Sequence, residues 1–393
     1  MLVLVADDAS FTQNVTAYPL SESGYLYTAT GVAIDNNQYI TIAQPMASLW
    51  VNGGTHNTIT NNNVTQFTNK LLDLNHMVGV DRNNGGTDFP AYVNAGGANT
   101  DMNYHPYVVF NDGNNVHNYL HVPAYHGFGG KESTVFMVMR RGTGGFNGGE
   151  SLLSYSDAAG TYSGNELGII APRAVEVRIQ KSSGGRNFSW DMTQNPLRPK
   201  LLFVQSDVDD DIETRLNGSS GSRGSINGVN DAFATGGSFI IGQEQDGNNS
   251  NFNNAQEFHG DFAEAIVLNR KATNDELSYT ETYLSLKYGI TPPNNLQVPD
   301  NSNQPITLWD RANAGSSFNQ RLTGVGEDAS FDWTQTQSIS QMDNPVLEIT
   351  NAQLPGGDAF WICGDNGANA NTMNTAGAPN TAAISLRRWY VRN

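Results

Sequence analysis

Short apolar segments, many with alternating polar residues, recur along the chain and predict a fold made largely of β-strands. Turns rich in glycine and asparagine separate them, and the chain contains 41 glycines. Short strands joined by such turns are typical of a sandwich of antiparallel sheets. The strongest segments are 107–110, 119–122, 134–139, 151–155, 166–170, 175–180, 201–205, 238–241 and 262–268.

One helix is predicted where this pattern changes to helical spacing. Residues 273–276 read Thr-Asn-Asp-Glu, a capping box at which a helix begins. Leu277, Leu284 and Tyr288 then form an apolar stripe around Glu281. Gly289 is placed to end the helix, and the prolines at 292 and 293 prevent its continuation.

The pattern divides the chain into four parts. Residues 46–291 are predicted to form the largest unit, an all-β sandwich closed by the helix. Residues 292–300 are predicted to be a linker. Residues 1–45 contain strand segments at 2–5, 25–29 and 39–42 but too few apolar residues for an independent core. Residues 301–393 return to an all-β pattern, with strand segments at 306–308, 346–349, 359–363 and 384–391.

Composition narrows the classes of partner. The net charge of −17 argues against nucleic acid and anionic membranes, because phosphate groups are bound by lysine and arginine. No apolar run reaches the length that spans a bilayer. Cys363 is the single cysteine, so an intrachain disulfide is excluded, and it is predicted to be a small buried residue.

Two carboxylates at the end of one predicted strand offer a specific chemistry. In an extended chain Glu244 and Asp246 point to the same face, and the carbonyl of Gln245 lies between them. A hard cation such as Ca²⁺ prefers carboxylate, carbonyl and amide oxygens. The Gln256 side chain, a few residues downstream, is a candidate amide ligand.

The stretch from Ser238 to Asp261 resembles the calcium-binding segment of pentraxins, members of the laminin-G-like, concanavalin-type jelly-roll superfamily. The resemblance also covers an upstream strand pair. Its residues are the run 242–246 (Gly-Gln-Glu-Gln-Asp), Phe252, Gln256, Gly260 and Asp261, with 151–155 and 165–167 upstream.

This resemblance implies a calcium site, and each ligand can be placed in this sequence. The matching positions are Asn165, Glu244, Gln245 (through its carbonyl), Asp246 and Gln256. Gly164 stands where the family has aspartate, and Asn253 stands where it has glutamate. Each departure removes a carboxylate, so we expect one ion rather than two, bound less tightly than in a full site.

A second resemblance covers nearly the whole chain. Residues 260–264 and 283–291 look like the close of laminin-G-like domains in very large surface proteins of Bacteroidetes, including gliding-adhesin-like proteins. A β-rich companion domain follows in those proteins, and its pattern is seen at 322–328 and 361–367. Residues 1–45 look like the tail of the same companion domain, which implies tandem modules.

Together these resemblances imply a non-enzymatic adhesion module on a bacterial cell surface, with calcium-assisted binding of glycans or other extracellular polymers. Neighbouring modules of the same polypeptide are the other expected partners. One alternative is a structural spacer in a long filament, stiffened by calcium. A second is a polysaccharide hydrolase of the same fold.

The sequence does not favour the hydrolase. Glycosidases of this fold place paired carboxylates on one strand face. The nearest candidates are Glu257, Asp261 and Glu264, and their offsets predict that Glu264 faces away from the other two.

Other residues have simpler explanations than a metal or sugar site. His117 and His121 are predicted to be ordinary strand histidines rather than zinc ligands. Several aromatics in or near turns could stack on sugar rings, although core or rim packing explains most of them. They are Tyr104, Tyr107, Tyr125, Phe128 and Tyr162.

Overall fold

The structure is a computed structural model. It describes residues 2–9, 14, 16–19, 21–23, 26–29, 31–43, 47–54, 58–60, 62–70, 76–82, 89–94, 99–110, 117–125, 127–128, 130–142, 150–157, 166–173, 176–181, 184–189, 198–207, 211–225, 236–252, 256–300, 304–313, 318–355, 358–367 and 384–391.

The first part of the chain forms two small antiparallel sheets. Its strands are β1 (Leu2–Ala6), β2 (Thr16–Pro19), β3 (Ser21–Ser23), β4 (Leu26–Thr28) and β5 (Tyr39–Ala43). Strand β1 lies between β2 and β5, and β3 pairs with β4. The side chains of Ile34, Tyr39 and Ile40 are about half exposed, as expected for a part with little core of its own.

The sandwich contains seventeen strands, which all belong to one continuous antiparallel network. They are β6 (Leu49–Asn52), β7 (Thr58–Thr60), β8 (Asn63–Phe67), β9 (Met77–Asp81), β10 (Ala91–Val93), β11 (Tyr107–Phe110), β12 (Asn118–Tyr125), β13 (Ser133–Arg141), β14 (Glu150–Ser156), β15 (Glu166–Arg173), β16 (Glu176–Lys181), β17 (Gly184–Ser189), β18 (Lys200–Ser206), β19 (Asp211–Leu216), β20 (Ser219–Ser225), β21 (Gly237–Ile241) and β22 (Gly260–Leu268).

Strand pairing arranges this network as two layers. The front sheet has the order β9-β12-β21-β14-β15-β16-β17. The back sheet has the order β20-β19-β18-β13-β22, and β22 then pairs with both β6 and β11. The first core lies between the layers and includes Val135 and Met137 of the back sheet with Phe239 and Ile241 of the front sheet. The predicted jelly-roll β-sandwich is confirmed.

The predicted helix is also confirmed, as α1 (Asn274–Lys287). The Thr273 hydroxyl accepts a hydrogen bond from the Glu276 amide, and the Glu276 carboxylate accepts one from the Thr273 amide, which is a complete capping box. Gly289 has φ +64°, a conformation that suits glycine at a helix end.

Helix α1 covers the outer face of the back sheet and joins it to the rest of the chain. A second core contains Phe136 of the sheet, Leu284 of the helix, and Trp309 and Phe360 from beyond residue 300. The strands that follow the helix are β23 (Leu296–Pro299), β24 (Pro305–Trp309), β25 (Gln320–Asp328), β26 (Trp333–Gln335), β27 (Ser338–Ile339), β28 (Glu348–Ile349), β29 (Ala359–Asp365) and β30 (Ile384–Val391).

The predicted linker at 292–300 contains a strand. Leu296 and Val298 of β23 are buried in the second core, and β23 pairs with β24. Beyond it, β25, β26, β29 and β30 form a four-stranded sheet in the order β26-β25-β29-β30. The division of the chain into separate domains stays a prediction.

One expectation about strand faces is wrong. The register between β13 and β22 shifts between Val138 and Met139, so Val138 lies opposite Glu264 and Arg140 lies opposite Asp261. The shift inserts one residue into β22, and a bulge of this kind cancels the odd offset. Glu264 and Asp261 therefore lie on the same, outer face of the back sheet.

Candidate functional site

The outer face of the front sheet is polar at its centre. Along β12, β14 and β21 the residues alternate, and most apolar ones, such as Leu153 and Phe239, belong to the first core, whereas Ile240 lies on the opposite face. Ser154 and Ser238 lie on the opposite face, together with His121, whose Nε2 is 2.9 Å from the Ser238 hydroxyl. A buried imidazole is harder to protonate, and burial lowers the pKa of His121 to about 4.

The chain folds back over this polar face immediately after β21. Gly242 has φ +99°, and a Cβ atom there would lie 2.8 Å from the ring of Phe110. The Gly242 amide donates to the Leu152 carbonyl, and the Gly242 carbonyl accepts from the Phe258 amide. This reversal carries residues 243–252, which we call the front loop, across the sheet.

The Gln245 side chain fixes the front loop to the sheet. Its Nε2 donates to the carbonyl of Ser238 at 2.9 Å and to that of Ser154 at 3.3 Å, and its Oε1 accepts from the Asn249 amide at 2.8 Å. The Ser154 hydroxyl also donates to the Gln243 carbonyl at 2.8 Å. Because the side chain is used in this way, the main-chain carbonyl is the oxygen that Gln245 would offer to an ion.

A tight turn at the end of the front loop is anchored by a tyrosine. The Ser250 amide donates to the Gly247 carbonyl, and Asn249 adopts φ +49°. The Tyr119 hydroxyl donates to Asn249 Oδ1 at 3.0 Å. Sequence reasoning did not single out Tyr119, although its alternation with His121 on β12 places it on the polar face.

The predicted metal ligands fall into three groups. Glu244 and Gln245 are buried in the front loop. Asp246, also in the front loop, and Gln256, which follows it in the chain, are partly exposed. Asn165, like Gly164 and Asn253, lies outside the described residues. Its neighbour Glu166 pairs with Ser156.

Strand register relates the start of β15 to the front loop. Ser156 pairs with Ser238, whose carbonyl accepts from Gln245. Glu166, the first residue of β15, therefore lies two strands away from Ser238 in the sheet. Two strand spacings correspond to about 10 Å.

The donor set consists of oxygen atoms only, which suits Ca²⁺ rather than zinc or copper. Among the described residues, no three His, Cys, Asp or Glu side chains are grouped so as to hold a metal ion. The predicted site offers two carboxylates in this part of the chain and would depend on amide and carbonyl oxygens for the rest.

A cationic and aromatic rim flanks the front loop. The guanidinium of Arg82 lies 5.1 Å from the ring centre of Phe252, and the Tyr119 ring lies 5.4 Å from it on a tilted approach. The Glu257 carboxylate pairs with His117 and lies 3.7 Å from Arg82. Nothing in the sequence pattern indicated Arg82, because this contact depends on how β9 and the front loop meet.

The other sequence candidates do not converge on this face. Asp261 pairs with Arg140 at 2.5 Å, and Glu264 pairs with Lys287 at 2.7 Å, both on the outer face of the back sheet. The tyrosines and the phenylalanine proposed for sugar stacking are buried, namely Tyr104, Tyr107, Tyr125 and Phe128. Tyr162 lies outside the described residues.

Comparison with known families gives one match. The profile of a domain of unknown function, DUF8202, matches residues 276–393. It begins within α1, so the matched region includes most of the helix that packs on the sandwich. No curated protein matches the sequence.

Several solved structures share a similar arrangement of strands. A heptameric SAP-like pentraxin from Limulus polyphemus is 16% identical, with 46% of this chain and 80% of the pentraxin covered and a TM-score of 0.32. The CBM40 of the Ruminococcus gnavus IT-sialidase, bound to α2,6-sialyllactose, is 12% identical, with 38% and 82% covered and a TM-score of 0.31.

Domain 4 of an extracellular GH43 arabinanase from Geobacillus stearothermophilus, in complex with arabinotriose, is also similar. It is 12% identical, with 62% of this chain and 98% of that domain covered and a TM-score of 0.40. At TM-scores this low, none of these similarities transfers a ligand or a residue role to this chain.

Proposed function

We propose that the protein is a non-enzymatic adhesion module that binds glycans or similar extracellular polymers on the polar face of its front sheet, with the help of calcium. The observation that carries this proposal is the front loop. It turns back at Gly242 and is fixed by Gln245 above the sheet. The sheet residues Ser154, Ser238 and His121 are themselves buried, so the polar loop held rigidly against them provides the preorganised binding surface.

Calcium would be held by the carboxylates of Glu244 and Asp246, the carbonyl of Gln245, and the amide oxygens of Gln256 and Asn165. This set has fewer carboxylates than a full two-ion site, and affinity follows ligand charge, so one weakly bound ion is the expected stoichiometry. When bound, the ion would supply a positive charge that can ligate hydroxyl or carboxylate oxygens of a ligand.

The rim residues favour a saccharide over a flat apolar ligand. Phe252 is partly exposed and carries the Arg82 guanidinium above its ring. An aromatic ring packs against the apolar face of a sugar, while a guanidinium donates hydrogen bonds to hydroxyl or carboxylate groups. The Tyr119 hydroxyl, which bonds to Asn249, links this rim to the front loop.

The proposed setting is extracellular, on a bacterial surface, with neighbouring modules of the same polypeptide as further partners. This setting rests on the sequence resemblance to laminin-G-like domains of large Bacteroidetes surface proteins. No helix in the described part of the chain is long and apolar enough to cross a membrane.

A glycan array probed with and without a chelator tests the proposal. We expect binding in calcium that is lost on chelation and lost in Asp246→Asn. Asp35→Asn is the matched control, because Asp35 is exposed in the first part of the chain, far along the sequence from the front loop. A uniformly negative array in calcium would overturn glycan binding.

A structural spacer is the second candidate, favoured by the second core, which continues across 292–300 without a break. Under this function Asp246→Asn lowers stability and changes no binding. A polysaccharide hydrolase would require activity that disappears on removal of Glu244 or Glu257. The proposal gives neither residue a catalytic role.

A further inference from the structure

A strained turn lies where the sandwich contacts the end of α1 and the β-strands that follow it. Residues 100–105, which we call the junction turn, connect β10 to β11. Met102, Asn103 and Tyr104 have φ values of 48°, 54° and 68°. Three consecutive left-handed residues, none of them glycine, are strongly disfavoured, because Cβ approaches the backbone in that conformation. Such a turn persists only where its surroundings impose it.

Asn103 is the centre of these surroundings. It is fully buried, and its Nδ2 lies 2.9 Å from the carbonyl of Lys287, 3.2 Å from that of Leu286 and 3.2 Å from the Ser338 hydroxyl. Its Oδ1 accepts from the Ile339 amide at 2.6 Å. One side chain of the sandwich therefore satisfies carbonyls at the end of α1 and also an amide of β27.

Three other residues of the junction turn reach the same elements, while Asp101 ties the turn to Arg140 of the sandwich. Gln341 Nε2 donates to the Thr100 carbonyl at 2.9 Å. His105 Nε2 lies 2.7 Å from Gln335 Oε1, and the Tyr104 hydroxyl donates to the Glu348 carboxylate. The bonds of Thr100, Asn103, Tyr104 and His105 to later segments of the chain thus all end on α1 or on residues 335–348.

We propose that the junction turn is a latch that couples the sandwich to the unit formed by α1 and the strands after it. Because of this latch, the two parts unfold together in one cooperative step. Docking of the helix end and β27 holds the turn in its strained conformation. Releasing either side removes the buried partners of Asn103, and the turn then relaxes. The region matched by DUF8202 would accordingly depend on the sandwich for completion of its helix.

The coupling explains why a chain segment that reads as a linker contributes to a core. If α1 and β27 are held by the same side chain, residues 292–300 cannot act as a hinge between independent domains. Ligand binding on the front face is not needed for this latch, so the two proposals stand or fall separately.

Hydrogen exchange of the full chain, followed by mass spectrometry in increasing urea, tests the latch. In the unmodified protein we expect residues 102–105, 286–290 and 335–341 to exchange through one common opening with the same urea dependence. Different opening equilibria for the turn and for 335–341 would overturn the proposal without any variant.

Asn103→Gly then isolates the hydrogen bonds, because glycine keeps the left-handed conformation at no steric cost. We expect exchange at 286–290 and 338–341 to accelerate about tenfold or more and to separate from exchange in the sandwich. Asn62→Gly is the matched control, since Asn62 is also left-handed (φ 64°) but lies exposed in the β7–β8 turn. Unchanged exchange at 286–290 in Asn103→Gly would contradict the latch.

Discussion

Gln245 Nε2 donates a 2.9 Å hydrogen bond to the carbonyl of Ser238, seven residues earlier in the same chain. This bond closes the reversal that begins at Gly242 and holds the acidic front loop against the sheet. The candidate ligands Glu244 and Asp246 flank the residue that makes it. The position of the proposed ligands in the loop therefore depends on this side chain, together with the bonds from Ser154 and Tyr119.

Gln245→Ala should lower the free energy of unfolding by about 2–3 kcal/mol, because it leaves buried carbonyls of Ser154 and Ser238 without their donor. It should also abolish calcium binding, although the proposed ligand is the main-chain carbonyl. Urea denaturation and calorimetry measure the two effects. Gln38→Ala is the control, since the Gln38 side chain bonds to Asp7 at the surface. Unaltered stability of the Gln245 variant would mean that the loop is fixed by other contacts.

Calcium should stabilise the folded chain by mass action. At a free concentration one hundred times its Kd, a single ion adds about 2.7 kcal/mol to the free energy of unfolding. A chelator should reverse the gain, and Asp246→Asn should remove most of it, whereas Asp35→Asn should retain it. Identical melting in calcium and in chelator, with no heat of binding, would rule out the site.

Glu281 should make stability fall as pH rises. Burial raises the pKa of this carboxyl to about 7 from its ordinary 4.5, although Arg215 and Asn294 act to lower it. As pH rises, Glu281 loses its proton in the unfolded chain before it does so in the folded chain. Its contribution to the free energy of unfolding is therefore greatest below about pH 4.5 and declines until about pH 7. Glu281→Gln should be more stable than the parent at pH 8 by about 1–3 kcal/mol and similar near pH 4.5.

The Glu276 carboxyl on the same helix gives stability the opposite dependence on pH. Burial acts to raise its pKa, but hydrogen bonds from Arg270 and Thr273 outweigh burial and lower it. Glu276→Gln should therefore destabilise the protein at neutral pH. Equal pH profiles for the Glu281 and Glu276 variants in urea denaturation would contradict both assignments.

Lys287→Met should be strongly destabilising. The fully buried Glu264 carboxylate accepts from Lys287 at 2.7 Å and from Tyr288 at 2.7 Å, with Trp50 and Tyr283 as further donors. Removing the lysine leaves a buried charge without its counter-ion, which costs about 3–5 kcal/mol.

A double variant provides the check on this charge argument. Adding Glu264→Gln to Lys287→Met removes the uncompensated charge while keeping an acceptor, so part of the lost stability should return. If the double variant is no more stable than the single one, packing rather than charge explains the loss.

The sequence by itself determined the elements whose signals are local. Alternation placed most strands of the sandwich, and the run 273–276 placed the start of α1, because capping and strand amphipathicity depend on neighbours within a few residues. It also predicted that Glu244 and Asp246 share one face of a strand end, which is wrong, because β21 ends at Ile241 and both residues lie in the front loop beyond Gly242. Their role as calcium ligands stays a prediction. Asn165 and its contribution stay a prediction.

Only the tertiary structure determined which residues from distant segments contact one another. The bulge that brings Asp261 and Glu264 to one face, the Arg82–Phe252 contact, and the pinning of α1 by Asn103 all join residues far apart in the chain. Strand pairing and side-chain packing fix these relationships through burial and hydrogen-bond satisfaction in three dimensions. Residues 292–300 were predicted to be a linker because their prolines are a local signal in the sequence. The core that buries Leu296 is formed by residues from distant parts of the chain, which a local pattern does not reveal.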